Sequence, residues 1–345
     1  MNNCAPQRDP CEHISELNLD LEADCIDILL RDKHGRLEGI CAEILFEREL
    51  IAPAFADYST GWWVARQNGA YRIAHMTERG HKVSILDTEI YSLFLSNNVS
   101  VVRLEFDSEE RILRRHTISK DVEAGSIAIS NPRTQQTAEN PLRMAKPTER
   151  DPARSEKAIK FLKSANAIRT SAISRLIANC FVHSSYLWDV DAIVRHDDKL
   201  IAFETKQKFP SRKGKFGINV GLSGVFSFLE RCGLRVIHVV LTKPIWETDV
   251  SAIDLISDPI YAGKSIWIAT ESNNIGRSGN QTDAPARTSI NGEHSLVTND
   301  IEITDFHQIS VQGNPSTGLL EYLSDKTSKL RGIQDIPHIQ PDIPW

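Results

Sequence analysis

Two short apolar segments in the second half of the chain constrain its fold more than any other feature. Residues 188–195 and 200–206 are rich in β-branched and aromatic side chains, and the polar tetrapeptide 196–199 lies between them. Two such segments joined by a short polar turn are typical of a β-hairpin. A turn centred on the middle of the tetrapeptide pairs Arg195 with Leu200.

The same register places two carboxylates on one face of the hairpin. Asp191 lies opposite Glu204, and directly opposed residues have β-carbons about 5 Å apart. Like charges at that distance destabilise a sheet unless a cation lies between them. Lys206 projects to the same face as Glu204, because the two residues are two positions apart. The pattern therefore predicts a divalent-metal site with an ammonium group beside it.

Carboxylate ligands of this kind suit Mg²⁺ or Mn²⁺. Such an ion lowers the pKa of a bound water and neutralises charge on a phosphoryl oxygen. Lys206 is placed to orient the nucleophile or to stabilise the developing charge.

An acid on one strand followed by Glu-x-Lys on the next resembles the signature of the PD-(D/E)XK nuclease superfamily. Here the matching residues are Asp191 and Glu204-Thr205-Lys206, and the match looks most like the Holliday-junction-resolvase and restriction-endonuclease branches. Val190 stands where the signature has proline. The resemblance covers about a quarter of the chain.

The resemblance implies an α/β fold with a restriction-endonuclease-like core of helix, three strands, helix and strand. A separate, mainly β or mixed N-terminal domain precedes this core. By the same resemblance Asp191 and Glu204 are metal ligands, Lys206 is the catalytic lysine, and Glu156 on the first helix completes the metal site.

A simpler interpretation of the hairpin stays open. In it, Asp189 and Lys206 form a cross-strand salt bridge, while Asp191 and Glu204 point to water. The motif is also loose as a string, since Asp197-x-Lys199 in the turn fits it too.

Helical and strand patterns flank the hairpin. Apolar residues recur at helical spacing in two runs before it, and a stripe after it indicates a helix with one buried face that Gly233 is well placed to end. The residues concerned are Ser155 as an N-cap with Ile159 and Leu162, then Ile168, Ile173, Leu176 and Ile177, then Leu222, Val225, Phe226 and Leu229. The continuous apolar run 236–241 indicates a strand covered on both faces, with His238 as a core histidine.

Composition divides the chain into segments. Residues 130–152 are rich in Pro, Thr, Gln, Asn, Arg and Glu, which is typical of an exposed linker. We therefore predict a flexible N-terminus at 1–22, an N-terminal domain at 23–128, a linker at 129–152, a nuclease-like domain at 153–270 and a loop-rich C-terminal extension at 271–345.

A cationic segment follows the motif. A cluster of basic residues with Pro210 and Gly214 as loop formers suits contact with a phosphate backbone. The predicted nucleic-acid contacts are Gln207, Lys208, Arg212, Lys213 and Lys215. A solvated surface loop is the open alternative.

The net charge and the cysteine content restrict the classes of protein to which the chain can belong. The net charge of −6 argues against a general basic coat, so any nucleic-acid contact needs a local patch. The six cysteines form neither a CxxC pair nor a dense framework. No secretory signal or long apolar run is evident, which favours a cytoplasmic protein; export by a signal-independent route stays open.

Two weaker features lie in the first half. His75 and His81 lack the i, i+4 spacing of a metalloprotease helix. Adjacent Trp62 and Trp63 face opposite ways in a strand, which favours core packing plus a partner contact over a platform for stacking bases.

The sequence thus predicts a divalent-metal-dependent endonuclease that hydrolyses phosphodiester bonds in DNA, in defence against foreign DNA, as a delivered toxin or in repair. Two alternatives stay open: a non-catalytic protein that binds nucleic acid or a partner on a nuclease-like fold, and a ribonuclease controlled by a ligand on the N-terminal domain. DNA is the expected partner, and no membrane partner is expected. A homodimer and a protein partner for the N-terminal domain are left open.

Overall fold

The computed structural model describes most of the chain in separate stretches. These are residues 14–31, 37–67, 69–119, 122–129, 152–180, 186–246, 250–261, 263–276, 280–283, 295–311 and 317–337. The predicted linker falls almost entirely outside them, as do residues 1–13 of the predicted flexible N-terminus. Within residues 14–22, Ile14 and Leu19 are buried, so this part of the predicted flexible segment is packed.

The described elements are numbered in chain order. The helices are α1 (Glu22–Arg31), α2 (Leu37–Phe46), α3 (Ala52–Ala54), α4 (Ile85–Ser96), α5 (Pro152–Ser164), α6 (Ile168–Cys180), α7 (Val220–Arg231), α8 (Ala252–Ser257) and α9 (Gly318–Leu323). The strands are β1 (Tyr58–Ser59), β2 (Trp62–Gln67), β3 (Ala70–Glu78), β4 (Ser100–Asp107), β5 (Ile112–Ser119), β6 (Val122–Ile129), β7 (Tyr186–Val190), β8 (Ala192–His196), β9 (Lys199–Lys208), β10 (Lys215–Asn219), β11 (Arg235–Thr242), β12 (Ile266–Glu271), β13 (Asn280–Asp283), β14 (Ser295–Glu302) and β15 (His307–Val311). The protein is therefore mixed α/β with several sheets.

The chain divides into two compact units, and neither is continuous in sequence. The first unit contains residues 1–34 and 61–189, and the second contains residues 35–60 and 190–345. This division differs from the predicted boundary at 129–152. The helices α5 and α6, which we expected to open the second domain, belong to the first unit because α6 packs against α1 and β3.

The first unit is built on a sheet in the order β6, β5, β4, β3, β2 and β7. The strands β3 and β4 run parallel, and α4 connects them. A capping box at Ser84 starts α4, and the buried side chains of this helix include Tyr91 and Phe94. We predicted a mainly β or mixed structure for this part of the chain, and the structure is mixed.

The second unit contains a sheet in the order β1, β8, β9, β11, β12 and β15, and a smaller sheet in the order β10, β14 and β13. The strands β9 and β11 run parallel, with α7 between them in the chain. Phe46 of α2 contacts Phe203 on one face of the large sheet, at 5.8 Å between ring centroids. Because side chains alternate along β9, Glu204 and Lys206 project to the opposite face, where Phe226 of α7 contacts His238.

Several local predictions are confirmed. Arg195 pairs with Leu200 in the β8–β9 hairpin. The predicted apolar stripe of α7 is buried, and Gly233 follows the helix with a φ of 101°. β11 is buried along nearly its whole length.

Other predictions need correction. The apolar segment 188–195 is not one strand: it is split at Asp191, and β7 and β8 join different sheets. Ser155 is not an N-cap, because α5 already begins at Pro152. The predicted loop-rich C-terminal extension contains β14, which pairs with β10 along the full length of that strand.

The described residues include no helix that is both long enough and apolar enough to cross a membrane.

Candidate functional site

Glu204 and Lys206 form an ion pair on β9. The Glu204 side chain is only 5% exposed, and its Oε1 lies 2.5 Å from Nζ of Lys206. Lys206 is 35% exposed, so the pair joins a buried carboxylate to an ammonium group that solvent reaches. A buried carboxylate needs such a partner, because removing its charge from water costs several kcal/mol.

Asp191 is fixed at the point where the β8–β9 ladder ends. The last paired residues are Ala192 and Phe203, and the Asp191 N–H still donates to the Phe203 carbonyl at 3.1 Å. One position further, the Thr205 N–H donates to Oδ2 of Asp191. Since strand N–H groups point along the sheet toward the neighbouring strand, the Asp191 carboxylate lies at the sheet edge where β8 has ended.

A further carboxylate lies beside Asp191. Glu43 of α2 and Asp191 each offer an oxygen within 4.8 Å of the other, and both side chains are half-buried. Two carboxylates at this distance supply the oxygen ligands that Mg²⁺ and Mn²⁺ prefer. Sequence reasoning missed Glu43, because no local pattern links α2 to the hairpin.

The predicted third ligand, Glu156, belongs to a different unit from the other two. Glu156 is exposed on α5 of the first unit, whereas Asp191 and Glu204 belong to the second unit. In the described part of the chain, Glu204 belongs to no group of three ligand-type side chains within 4.8 Å of one another. Asp191 therefore lies close to Glu43, and Glu204 lies close to Lys206.

The simpler interpretation of the hairpin does not match these contacts. Asp189 forms an ion pair with Arg175 at 3.2 Å. Lys206 pairs with Glu204, and Glu204 is buried instead of pointing to water.

His238 lies next to Glu204 on the neighbouring strand. It is fully buried, and its Nδ1 lies 3.1 Å from the Glu204 carbonyl oxygen, to which it donates. Burial holds the pKa of His238 well below its usual value, and the charges of Lys208 and Lys206 lower it further. The imidazole is therefore neutral, as expected for a core histidine. Its Nε2 has no hydrogen-bond partner among the described residues.

Lys208 lies on the same face of β9 as Glu204 and Lys206. Its Nζ donates to the Gly217 carbonyl at 2.5 Å, which turns the side chain toward β10. Burial, and then the charge of Lys206, lowers the pKa of Lys208 to about 8. Gln207 projects to the opposite face, and its Nε2 is buried without a hydrogen-bond partner in the described ranges.

The predicted cationic loop is the connection between β9 and β10. Arg212 is exposed and lies over the ring of Trp246, at 5.3 Å from the centroid. Lys213 is also exposed, whereas Lys215 pairs with Glu302 at 2.7 Å. Arg212 and Lys213 therefore keep the exposure that contact with a phosphate backbone requires, while Lys208 and Lys215 are engaged within the protein.

Comparisons with protein families, with curated proteins and with solved structures gave no match to this chain.

Proposed function

We propose that the second unit is a divalent-metal-dependent phosphodiesterase that acts on DNA. The observation that carries the proposal is the ion pair of the buried Glu204 with the partly exposed Lys206 on β9. The Asp191 carboxylate accepts a hydrogen bond from the amide of Thr205, the residue between them. The order of α2, β8, β9, α7 and β11, with β9 and β11 parallel, supports a restriction-endonuclease-like core around this site.

The roles follow from the side chains. Asp191 would hold the ion, with Glu43 as the helical carboxylate in place of the predicted Glu156. The predicted ligand Glu204 would hold Lys206 beside this site. The bound ion would act as a Lewis acid on a phosphoryl oxygen and lower the pKa of water. Lys206 holds a positive charge beside Glu204, where it can orient an attacking water or stabilise charge that develops on the phosphate.

Energetics favour a functional role for the pair over a structural one. Apolar residues of similar size in place of a buried ion pair are often neutral or stabilising. Ala202, which lies on the same face of β9 as Glu204, is buried, so this face accepts an apolar side chain next to position 204. A carboxylate at 204 is therefore explained better by a chemical role than by packing.

Substrate contact is assigned to the β9–β10 connection. Arg212 and Lys213 are exposed cations one short loop beyond Lys206. Guanidinium and ammonium groups bind phosphate oxygens without reading sequence, so they position a nucleic-acid backbone. A role in defence against foreign DNA or as a delivered toxin fits such an activity.

The test is a cleavage assay on supercoiled plasmid, linear duplex, single-stranded DNA and RNA, each with Mg²⁺, Mn²⁺ or EDTA. We expect cleavage of DNA with either metal and none with EDTA. Glu204→Gln and Lys206→Met should each lower the rate by at least about 100-fold, the usual effect of removing one charge-stabilising group.

The chain offers a matched control in the hairpin turn. Asp197 and Lys199 repeat the acid-x-lysine spacing, but both are exposed. The double variant Asp197→Asn, Lys199→Met should cleave at the rate of the unmodified protein.

Two results would overturn the proposal. Cleavage that survives both Glu204→Gln and Lys206→Met would place the chemistry elsewhere. Absence of cleavage together with absence of Mg²⁺ or Mn²⁺ binding in calorimetry would favour a non-catalytic nucleic-acid-binding protein. Cleavage of RNA alone would keep the site and change the substrate.

A further inference from the structure

A group of metal-ligating side chains lies in the first unit, whereas Asp191, Glu204 and Lys206 of the proposed nuclease function belong to the second unit. His75, His81 and Asp87 each offer one ligand atom, and these three atoms all lie within 4.8 Å of one another. The residues come from β3, from the loop after it and from the first turn of α4. We propose that they bind one divalent transition-metal ion, with Zn²⁺ as the best fit.

The donor set selects the kind of ion. Two imidazole nitrogens and one carboxylate are typical zinc ligands, and three protein ligands leave a fourth position for water or an added ligand. Mg²⁺ prefers a shell of oxygen atoms and does not suit two imidazoles. The group therefore differs in chemistry from the carboxylates at Asp191.

The spacing of two of the ligands already fits a tetrahedral ion. His81 Nε2 and Asp87 Oδ2 lie 3.4 Å apart. Two ligand atoms that are each about 2.1 Å from a tetrahedral zinc are separated by about 3.4 Å. His81 can therefore share an ion with Asp87 without moving.

His75 is held in place by its surroundings. The residue is 1% exposed, and its ring stacks on the indole of Trp62 with centroids 4.2 Å apart and planes 6° from parallel. Its Nδ1 lies 2.6 Å from the hydroxyl oxygen of Tyr91. Coordination would therefore be through Nε2, with Tyr91 as the outer partner that metal-binding histidines usually have on the other ring nitrogen.

Asp87 is also fixed before any ion binds. It is 2% exposed, and its Oδ2 accepts from the Ser84 N–H at 2.9 Å within the capping box. A capping box with an ion pair to His81 would be the ordinary explanation of this carboxylate. That explanation does not involve the buried imidazole of His75, which has a ring nitrogen within 4.8 Å of both groups. A shared ion would account for all three side chains.

His81 provides the access that a metal site needs. Its side chain is 39% exposed in the loop between β3 and α4. An ion can therefore reach the two buried ligands from solvent. Once bound, it would cross-link β3 to the start of α4.

The test uses the full chain, freed of metal with EDTA and then dialysed. Zn²⁺ is titrated by calorimetry with Mg²⁺ present in excess, so that the oxygen site is already filled. The variants are His81→Ala, which removes an exposed ligand without disturbing the core, and Asp87→Asn, which keeps an oxygen for the capping box. Lys82→Ala, an exposed neighbour of His81, is the matched control.

We expect the unmodified protein and Lys82→Ala to bind one more equivalent of Zn²⁺ than His81→Ala does, or to bind it at least about tenfold more tightly. Zn²⁺ should raise the thermal midpoint of the first two proteins and not of His81→Ala, because only a folded site binds the ion. Co²⁺ in place of Zn²⁺ should give a visible absorption band that is lost in the same variant.

Equal stoichiometry and affinity in the unmodified protein and His81→Ala would overturn the proposal, as would the absence of Zn²⁺ binding by the unmodified protein. If Asp87→Asn does not fold, His81→Ala alone decides the outcome. DNA cleavage enters none of these measurements, so the result is independent of the proposed nuclease function.

Discussion

Single substitutions of Glu43 and of Glu156 test the proposed metal site. Glu43 lies within 4.8 Å of Asp191, while Glu156 is exposed in the first unit. Glu43→Gln should raise the Mg²⁺ concentration needed for half-maximal cleavage by about 10-fold or more, because one carboxylate of the site is lost. Glu156→Gln should leave it unchanged. The cleavage rate of each variant, measured at increasing Mg²⁺ concentration, gives these half-maximal concentrations.

The reverse result, with a shift for Glu156→Gln alone, would restore the residue that the family resemblance selects. A shift for neither variant would confine the metal ligands to Asp191 and Glu204.

Lys208 gives a prediction for pH dependence. Its folded-state pKa of about 8 lies below the value of about 10.4 expected in the unfolded chain. Between these values the unfolded chain binds more protons, so the contribution of Lys208 to stability rises as the pH rises. Below pH 8 the charged lysine lowers the stability of the folded state, and the effect is relieved above about pH 10.

The comparison is with Lys208→Met, which keeps the length of the side chain. The free energy of unfolding of the unmodified protein, relative to that of Lys208→Met, should increase by about 1 kcal/mol between pH 7.5 and 9.5. This value includes a reduction for solvent screening, because Lys208 is half-buried. Urea unfolding at the two pH values measures it. Lys199→Met, an exposed lysine in the hairpin turn, should show no such change, and a difference independent of pH would contradict the assignment.

At the scale of elements, the β8–β9 hairpin was predictable because its information is local. Asp197 and Asp198 both have positive φ, 47° and 59°, which is the conformation of a two-residue hairpin turn. That turn sets the pairing of Arg195 with Leu200 and hence the position of Asp191. The break at Asp191 was not predictable, because the apolar pattern continues through it while β7 joins a different sheet.

Two glycines of the second unit test how its helices are packed. Gly39 is exposed within α2, and a β-carbon there would meet no atom within 4 Å. Gly318 starts α9, and a β-carbon there would lie 1.5 Å from the Ile309 carbonyl oxygen of β15. Gly39→Ala should stabilise the protein by roughly 0.5–1 kcal/mol through helix propensity.

Gly318→Ala should instead cost about 2 kcal/mol or more, because main-chain atoms must move to admit the methyl group. Chemical unfolding of the two variants under the same conditions gives both values. A neutral Gly318→Ala would show that α9 does not approach β15 as closely as described.

At the scale of the whole molecule, the sequence could not indicate that each unit is assembled from separate stretches. The helix α2 belongs with the sheet of β8 and β9, although most of the first unit lies between them in the chain. Its Phe46 contacts both Phe203 and Trp267. Such long-range packing leaves no periodic signal, so Glu43 escaped prediction together with the helix that carries it.

This architecture predicts that the domain expected from sequence, residues 153–270, does not fold alone. The fragment lacks Phe46, which packs on the large sheet, and Phe306, which contacts Phe216 at 5.0 Å between ring centroids. It also lacks β15, the partner of β12, so the edge of that strand is left without its hydrogen bonds. Its helices α5 and α6 are separated from α1, against which α6 packs.

We therefore expect the fragment to show neither a near-ultraviolet circular dichroism signal nor a cooperative unfolding transition, both of which the full chain should show under the same conditions. A chain with residues 1–34 deleted provides a further comparison, because it retains every element of the second unit. Cooperative unfolding of the fragment 153–270 would mean that the contacts from α2 and from the residues after 270 are dispensable. That result would support the domain boundary that the sequence predicts at the linker, residues 129–152.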